Sequence, residues 1–148
     1  MKRTVAGLLL VGVAACGGGG RPATPEVNVP YCMVEDGTNY CGQNLFMVFR
    51  SDGLIEQWTD DGRDSAFEPG FNYNDKGDLF LVGDDTPTAK MKSIENGIRL
   101  APIDTSFEEE LSFIRYDGAR AERLGYLFEA TDGKDFLEKQ QIAQDYLR

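Results

Sequence analysis

Nucleophilic catalysis by a serine or cysteine needs a base to take the proton, and this chain has no histidine to serve as one. Its three thiols, Cys16, Cys32 and Cys41, lack the histidines or second cysteine pair that would complete a tetrahedral zinc site. Paired carboxylates across a cleft could run glycoside hydrolysis, but twenty-five Asp and Glu will pair somewhere in any fold. A carboxylate-based hydrolase therefore ranks below a binding protein. Asn72-x-Asn74-x-Lys76-Gly77 has the rhythm of a calcium loop, yet Lys76 stands at an oxygen-ligand position and Gly83 where the closing glutamate belongs. No glycine-rich phosphate loop leads from a strand into a helix. The expectation is a protein with no catalytic residue, no metal site and no cofactor.

Cys16 belongs to a different kind of motif. Lys2 and Arg3 precede an apolar run over 5–14, broken only by glycine and free of acids, which is the anatomy of a secretory signal. The run is shorter than the roughly 20 apolar residues of a spanning helix, so its removal is expected. Val13-Ala14-Ala15-Cys16 resembles the lipobox of bacterial lipoproteins. That resemblance implies cleavage before Cys16, a diacylglycerol on its sulfur and acylation of its new amine. Two or more acyl chains anchor stably, where one binds only marginally. Gly17, standing where a retention aspartate would sit, points to the outer membrane. The alternative is an ordinary secreted protein cut after Ala15. With Cys16 given to lipid, Cys32 and Cys41 form an even pair in a compartment where disulfides persist. Asp36-Gly37 lies between them as a turn signal, so a small hairpin or stapled loop is expected. Gly17–Gly20 and the Pro-containing stretch behind it read as a tether over 16–28, after a signal peptide over 1–15 and before a single domain over 29–148.

Removal of the signal takes Lys2 and Arg3 from the fifteen basic residues, leaving thirteen against twenty-five acids, a formal charge of −12. Such a body repels nucleic acid and anionic membrane surfaces. From Leu45 onward, short apolar and β-branched runs at 45–50, 54–59, 67–73, 79–82, 89–94, 97–101 and 111–116 alternate with turn pairs such as Asp52-Gly53, Asp61-Gly62, Lys76-Gly77 and Asn96-Gly97. The spacing predicts an antiparallel meander that curls into a small barrel or sandwich. Strands 45–49 and 79–82 are apolar on both faces, so something must cover the outside. Helices over 119–130 and 135–147 are the candidates, with a strand through 123–129 as the alternative to the first. Phe136, Ala143 and Leu147 would form the packing stripe of the second, capped by Thr131 or Asp132.

The repeated order of apolar strand, Asp-Gly or Lys-Gly turn and further strand, seen around Asp52-Gly53 and Lys76-Gly77, resembles the lipocalin-like barrels of many bacterial lipoproteins. The resemblance implies a barrel with a C-terminal helix packed on it and a pocket for a small apolar ligand. Phe46, Trp58, Phe71, Tyr73 and Phe80 are its candidate lining, core filling being the plainer role for such side chains. In an up-and-down sheet alternate turns share an end, which would crowd Asp60, Asp61, Asp64, Asp84 and Asp85, with Asp104, Glu108 and Glu109, on one rim relieved by Arg63. The opposite rim would carry Asp52, Asp75, Lys76 and Glu95. A one-signed rim is either a solvated surface or a docking face for a basic protein partner. The reading is an envelope lipoprotein that binds a protein partner as an inhibitor or assembly factor, with carriage of a small apolar ligand as the alternative.

Overall fold

The computed structural model describes residues 23–60, 65–103 and 111–146. The signal peptide, Cys16, and the rim residues Asp61, Arg63, Asp64, Asp104, Glu108 and Glu109 lie outside the described residues. The elements are β1 (Tyr31–Glu35), β2 (Thr38–Asn39), a 3₁₀ turn (Tyr40–Gln43), β3 (Leu45–Phe49), β4 (Leu54–Asp60), β5 (Ser65–Tyr73), β6 (Asp78–Leu81), β7 (Ala89–Ile94), β8 (Gly97–Pro102), β9 (Leu111–Arg115), α1 (Ala121–Thr131) and α2 (Phe136–Tyr146).

Among the described residues, eight strands form one closed antiparallel barrel, with β2 as an extra strand on β1. Each strand from β3 to β9 pairs with its neighbour in sequence, the up-and-down path that the turn spacing predicts. Closure comes from β1, which the sequence reading placed only in a small hairpin or stapled loop; the hairpin is there, Val34 and Glu35 pairing with Asn39 and Thr38 of β2. Five of its residues pair with β9, from Tyr31 opposite Arg115 to Glu35 opposite Leu111. On its other side β1 meets β3 through a single register pair, Tyr31 with Met47. The Cys32–Cys41 disulfide lies on this same seam. Asp36 and Gly37 both have positive φ, 49° and 85°, as the tight β1–β2 turn requires.

Alternation along the strands builds two apolar cores. Tyr31, Met47, Phe49, Ile55, Leu79, Met91, Leu100 and Phe113 fill the barrel interior. Their neighbours Phe46, Val48 and Trp58 point outward and are covered by Leu124, Leu127 and Phe128 of α1 and Ala143 of α2. The two-faced apolar character of β3 is thereby explained. The same expectation fails for β6, where Leu79 turns inward but Leu81 remains 41% exposed and Val82 52%. A four-residue strand at the barrel mouth needs no helix above it.

Residues 121–131 form a helix, not the strand left open for 123–129, with Leu124, Leu127, Phe128 and Thr131 buried at helical spacing. In α2 the buried positions are Lys139 and Ala143, while Phe136 is 61% exposed and meets the Phe67 ring at the rim of the outer core. Asp135, not Thr131 or Asp132, caps α2. Its carboxylate accepts from the Glu138 amide at 2.9 Å, a reciprocal arrangement completed by Glu138 reaching back toward the Asp135 amide.

The chain ahead of β1 is also part of the fold. Residues 23–28, expected to end the tether, form a strap across the barrel end that carries the 50–53 and 74–77 turns. The Ala23 amide donates to the Met91 carbonyl at 3.0 Å, and Ala23 is 3% exposed within the interior core. Val27 makes a parallel bridge with Phe49, and the Asn28 amide donates to the Phe49 carbonyl at 3.0 Å. Any free tether therefore ends before Ala23. Among the described residues no helix is long and apolar enough to cross a membrane.

Candidate functional site

The five aromatic candidates do not line one pocket. Phe46 and Trp58 belong to the outer core beneath the helices, where Phe46 meets Tyr116 edge-on and Trp58 stacks on Phe67. Phe71 and Tyr73 pack on the interior core. Phe80 is half-buried, turned by alternation away from the side that Leu79 occupies. The barrel axis is occupied by side chains. Space remains at its strap end, where a groove of about 460 Å³ is bounded by Ala23, Pro25, Val27 and Tyr73 with Asp52 and Asp75 at its edge.

Nor does the acidic rim include Asp60. That residue is fully buried, its carboxylate facing Arg120 at 3.4 Å and Arg123 at 3.8 Å. Arg120 also donates to the Asp60 carbonyl at 2.8 Å and the Asn44 side chain at 2.6 Å, and lies over the Phe46 ring. Asp60 thus docks the start of α1 on the barrel wall. Asp84 and Asp85 are exposed in the β6–β7 loop. Beside that loop the Ile103 amide donates to the Thr88 carbonyl, and Ile103 is 52% exposed. On the opposite end Asp52, Asp75, Lys76 and Glu95 are exposed as expected. Asn74, of the calcium-like motif, spends its side-chain oxygen on the amides of Lys76 and Asp78, both at 3.0 Å. Among the described residues no group of three or more His, Cys, Asp or Glu is placed to hold a metal.

The densest ionic chemistry is one that the sequence reading missed. Glu56 projects from β4 into the seam between barrel and helices, 1% exposed. Arg50 Nε donates to its Oε1 at 2.7 Å, Trp58 Nε1 donates to the same oxygen at 3.1 Å, and Lys139 Nζ binds its Oε2. Arg50 is itself 1% exposed and uses its remaining donors on the Asn28 side chain at 3.0 Å, the Phe128 carbonyl and the Thr131 hydroxyl at 2.7 Å. One guanidinium therefore ties the strap, the β3–β4 corner and the last turn of α1. Two signals were legible. Glu56 stands two residues from Trp58, hence on its face of the strand, and Lys139 stands four before Ala143, inside the packing stripe of α2.

Burial would raise the Glu56 carboxyl, but the Lys139 and Trp58 hydrogen bonds and the Arg50 charge outweigh it and hold the group below its ordinary range. Asp132 follows the same pattern, burial being opposed by the Asn28 hydrogen bond and the Arg50 charge. Asp78 is lowered chiefly by its bonds to Lys90 and Asn74. Each of these carboxylates binds its proton more weakly folded than unfolded, so each stabilises the fold above the ordinary carboxylate pKa and ceases to do so in acid. Urea midpoints are expected to hold steady from pH 7 to about pH 5 and to fall steeply below about pH 4. Burial raises Tyr31 and Tyr73, which adds a loss of stability above about pH 10. A midpoint that stayed flat down to pH 3 would contradict the pairing.

Comparison with protein-family profiles, curated proteins and solved structures gives no match.

Proposed function

We propose that this protein is a lipid-anchored envelope lipoprotein whose barrel acts as a binding module for a protein partner. The observation that carries the choice of module over carrier is the packed barrel interior, where Met47, Phe49, Ile55, Leu79, Met91 and Phe113 are each fully buried. A barrel filled this way recognises through its surface. The face for that recognition is the mouth bearing Asp84 and Asp85, where Leu81, Val82 and Ile103 are 41%, 52% and 52% exposed. Apolar area ringed by acids suits a partner segment that combines aliphatic and basic side chains. Lipidation is supported by the resemblance of Val13-Ala14-Ala15-Cys16 to a lipobox and by the pairing of Cys32 with Cys41, which leaves Cys16 for the anchor. Carriage of a small apolar ligand keeps one supporting feature, the groove of about 460 Å³ beside the strap.

The test is direct. Cells producing the full chain and fed a clickable palmitate analogue are expected to label the protein, and Cys16→Ala is expected to abolish the label and release the body from the membrane fraction. Cross-linking of the acylated protein should then capture a partner that Asp84→Asn with Asp85→Asn loses. A label that survives Cys16→Ala would refute the anchor, and native mass spectrometry showing a stoichiometric apolar ligand would favour the carrier.

A further inference from the structure

Where the chain joins the barrel decides which end of the barrel meets the membrane. The strap is not free to slide. Ala23 is packed in the interior core and hydrogen-bonded to Met91, Val27 is bridged to Phe49, and Asn28 is held by Arg50 on one side and donates to Asp132 at 2.9 Å on the other. All three fixings lie at the end that carries the 50–53 and 74–77 turns, since the groove beside the strap is bounded by Ser51, Asp52, Gly53, Tyr73, Asn74 and Asp75. The 82–88 loop, with Asp84 and Asp85, lies at the far end by the up-and-down path.

Resting on the lipoprotein reading above, we infer that the barrel stands on the bilayer by its strap end, with the 82–88 mouth turned away from the lipid. Ala23 is seven residues from Cys16. Fully extended, seven residues reach at most about 25 Å. The seven residues of β4 run about 20 Å at roughly 3.3 Å each, so with the usual tilt of barrel strands the wall stands about 15 Å high, equal to the root-mean-square span of about 15 Å for a flexible link of seven residues. Presenting the 82–88 mouth to the headgroups would lift the strap by the wall height plus the depth of the 82–88 loop, which requires the link to stretch beyond its root-mean-square span along the membrane normal. Every shorter link brings the strap end down. Val27 and Ile94, 40% and 38% exposed, belong to this lower end, beside the exposed Asp52, Asp75, Lys76 and Glu95. The interaction surface is thus a lipid surface below, leaving the acidic and apolar mouth free for an approaching partner above.

Energy transfer to the membrane tests the orientation. Purified acylated protein, in which Cys16 is a thioether and Cys32 and Cys41 are joined, offers an introduced cysteine as its free thiol. Donor dye on Asp75→Cys or Asp85→Cys is read against acceptor-labelled headgroups in zwitterionic phospholipid vesicles, after confirming that both variants melt as the parent does. Transfer from position 75 is expected to be at least about twofold more efficient than from position 85, given an offset close to the barrel height. Ten Gly-Ser residues inserted between Gly20 and Arg21 are expected to erase most of that difference, because the root-mean-square span of the lengthened link, about 23 Å, would then exceed the wall height. Equal or reversed transfer from an acylated sample, or a difference that survives the insertion, overturns the orientation alone. A mass showing no acyl chain overturns the lipoprotein reading and this inference with it.

Discussion

Glu56→Gln is expected to destabilise the fold by about 3–5 kcal/mol, because it leaves Arg50 and Lys139 charged in the seam between barrel and helices with no carboxylate to face. For a domain of this size that is a large part of the usual total of about 5–15 kcal/mol. It corresponds to a fall in Tm of roughly 10–25 °C. The size of the effect comes from what remains, not from what is removed. Side-chain exposures of 1% for Arg50 and 2% for Glu56 mean that water cannot take over the orphaned charge. Lys139→Met is the informative contrast. It deletes the more accessible cation, 10% exposed, and leaves the Arg50–Glu56 pair intact, so its cost is expected to be small beside that of Glu56→Gln. Thermal melts of both variants decide the matter, and a Glu56→Gln protein melting within about 3 °C of the parent would mean that the seam is wet.

Loss of the Cys32–Cys41 disulfide is the second large effect. A cross-link spanning nine positions removes about 2.5–3 kcal/mol of chain entropy from the unfolded state. Its position adds a structural reason to expect the full amount. The β1–β3 seam holds one register pair, against five between β3 and β4, so the disulfide reinforces the least bonded junction described in the barrel wall. Cys32→Ser with Cys41→Ser is expected to lower the urea midpoint by the equivalent of that energy. Hydrogen exchange should quicken first in β1, ahead of the hairpins from β4 to β8. Uniform exchange across all strands would instead point to a purely unfolded-state effect.

The parts of this fold that were legible in the sequence are those whose cause is local. Asp52-Gly53, Lys76-Gly77 and Asn96-Gly97 each stand at a hairpin, and Gly53 and Gly77 have the positive φ that such turns ask of glycine. Both helices showed in composition, and of the stripe read for the second, Ala143 is buried. The strand β1 escaped because Tyr31–Glu35 has no hairpin partner long enough to betray it, and its real partner, β9, lies about eighty positions away. The aromatic candidates were misgrouped for a related reason. Alternation assigns Phe46 and Met47 to opposite faces, but nothing in the sequence tells which face is inside the barrel. Asp60 reads as one more surface acid until Arg120 and Arg123 are brought over it by the packing of α1.

Closure of the first strand on the last has a consequence for how this chain must be made. Until β9 has been synthesised, β1 has only the two-residue β2 and a single pair with β3 to join, so every shorter nascent length presents open strand edges able to pair with other chains. The sulfur bridge needs only nine positions of chain and can form while the remainder is still emerging. Biogenesis therefore has an early chemical event and a late topological one, and the interval between them is when premature termination or slow delivery would do the most damage.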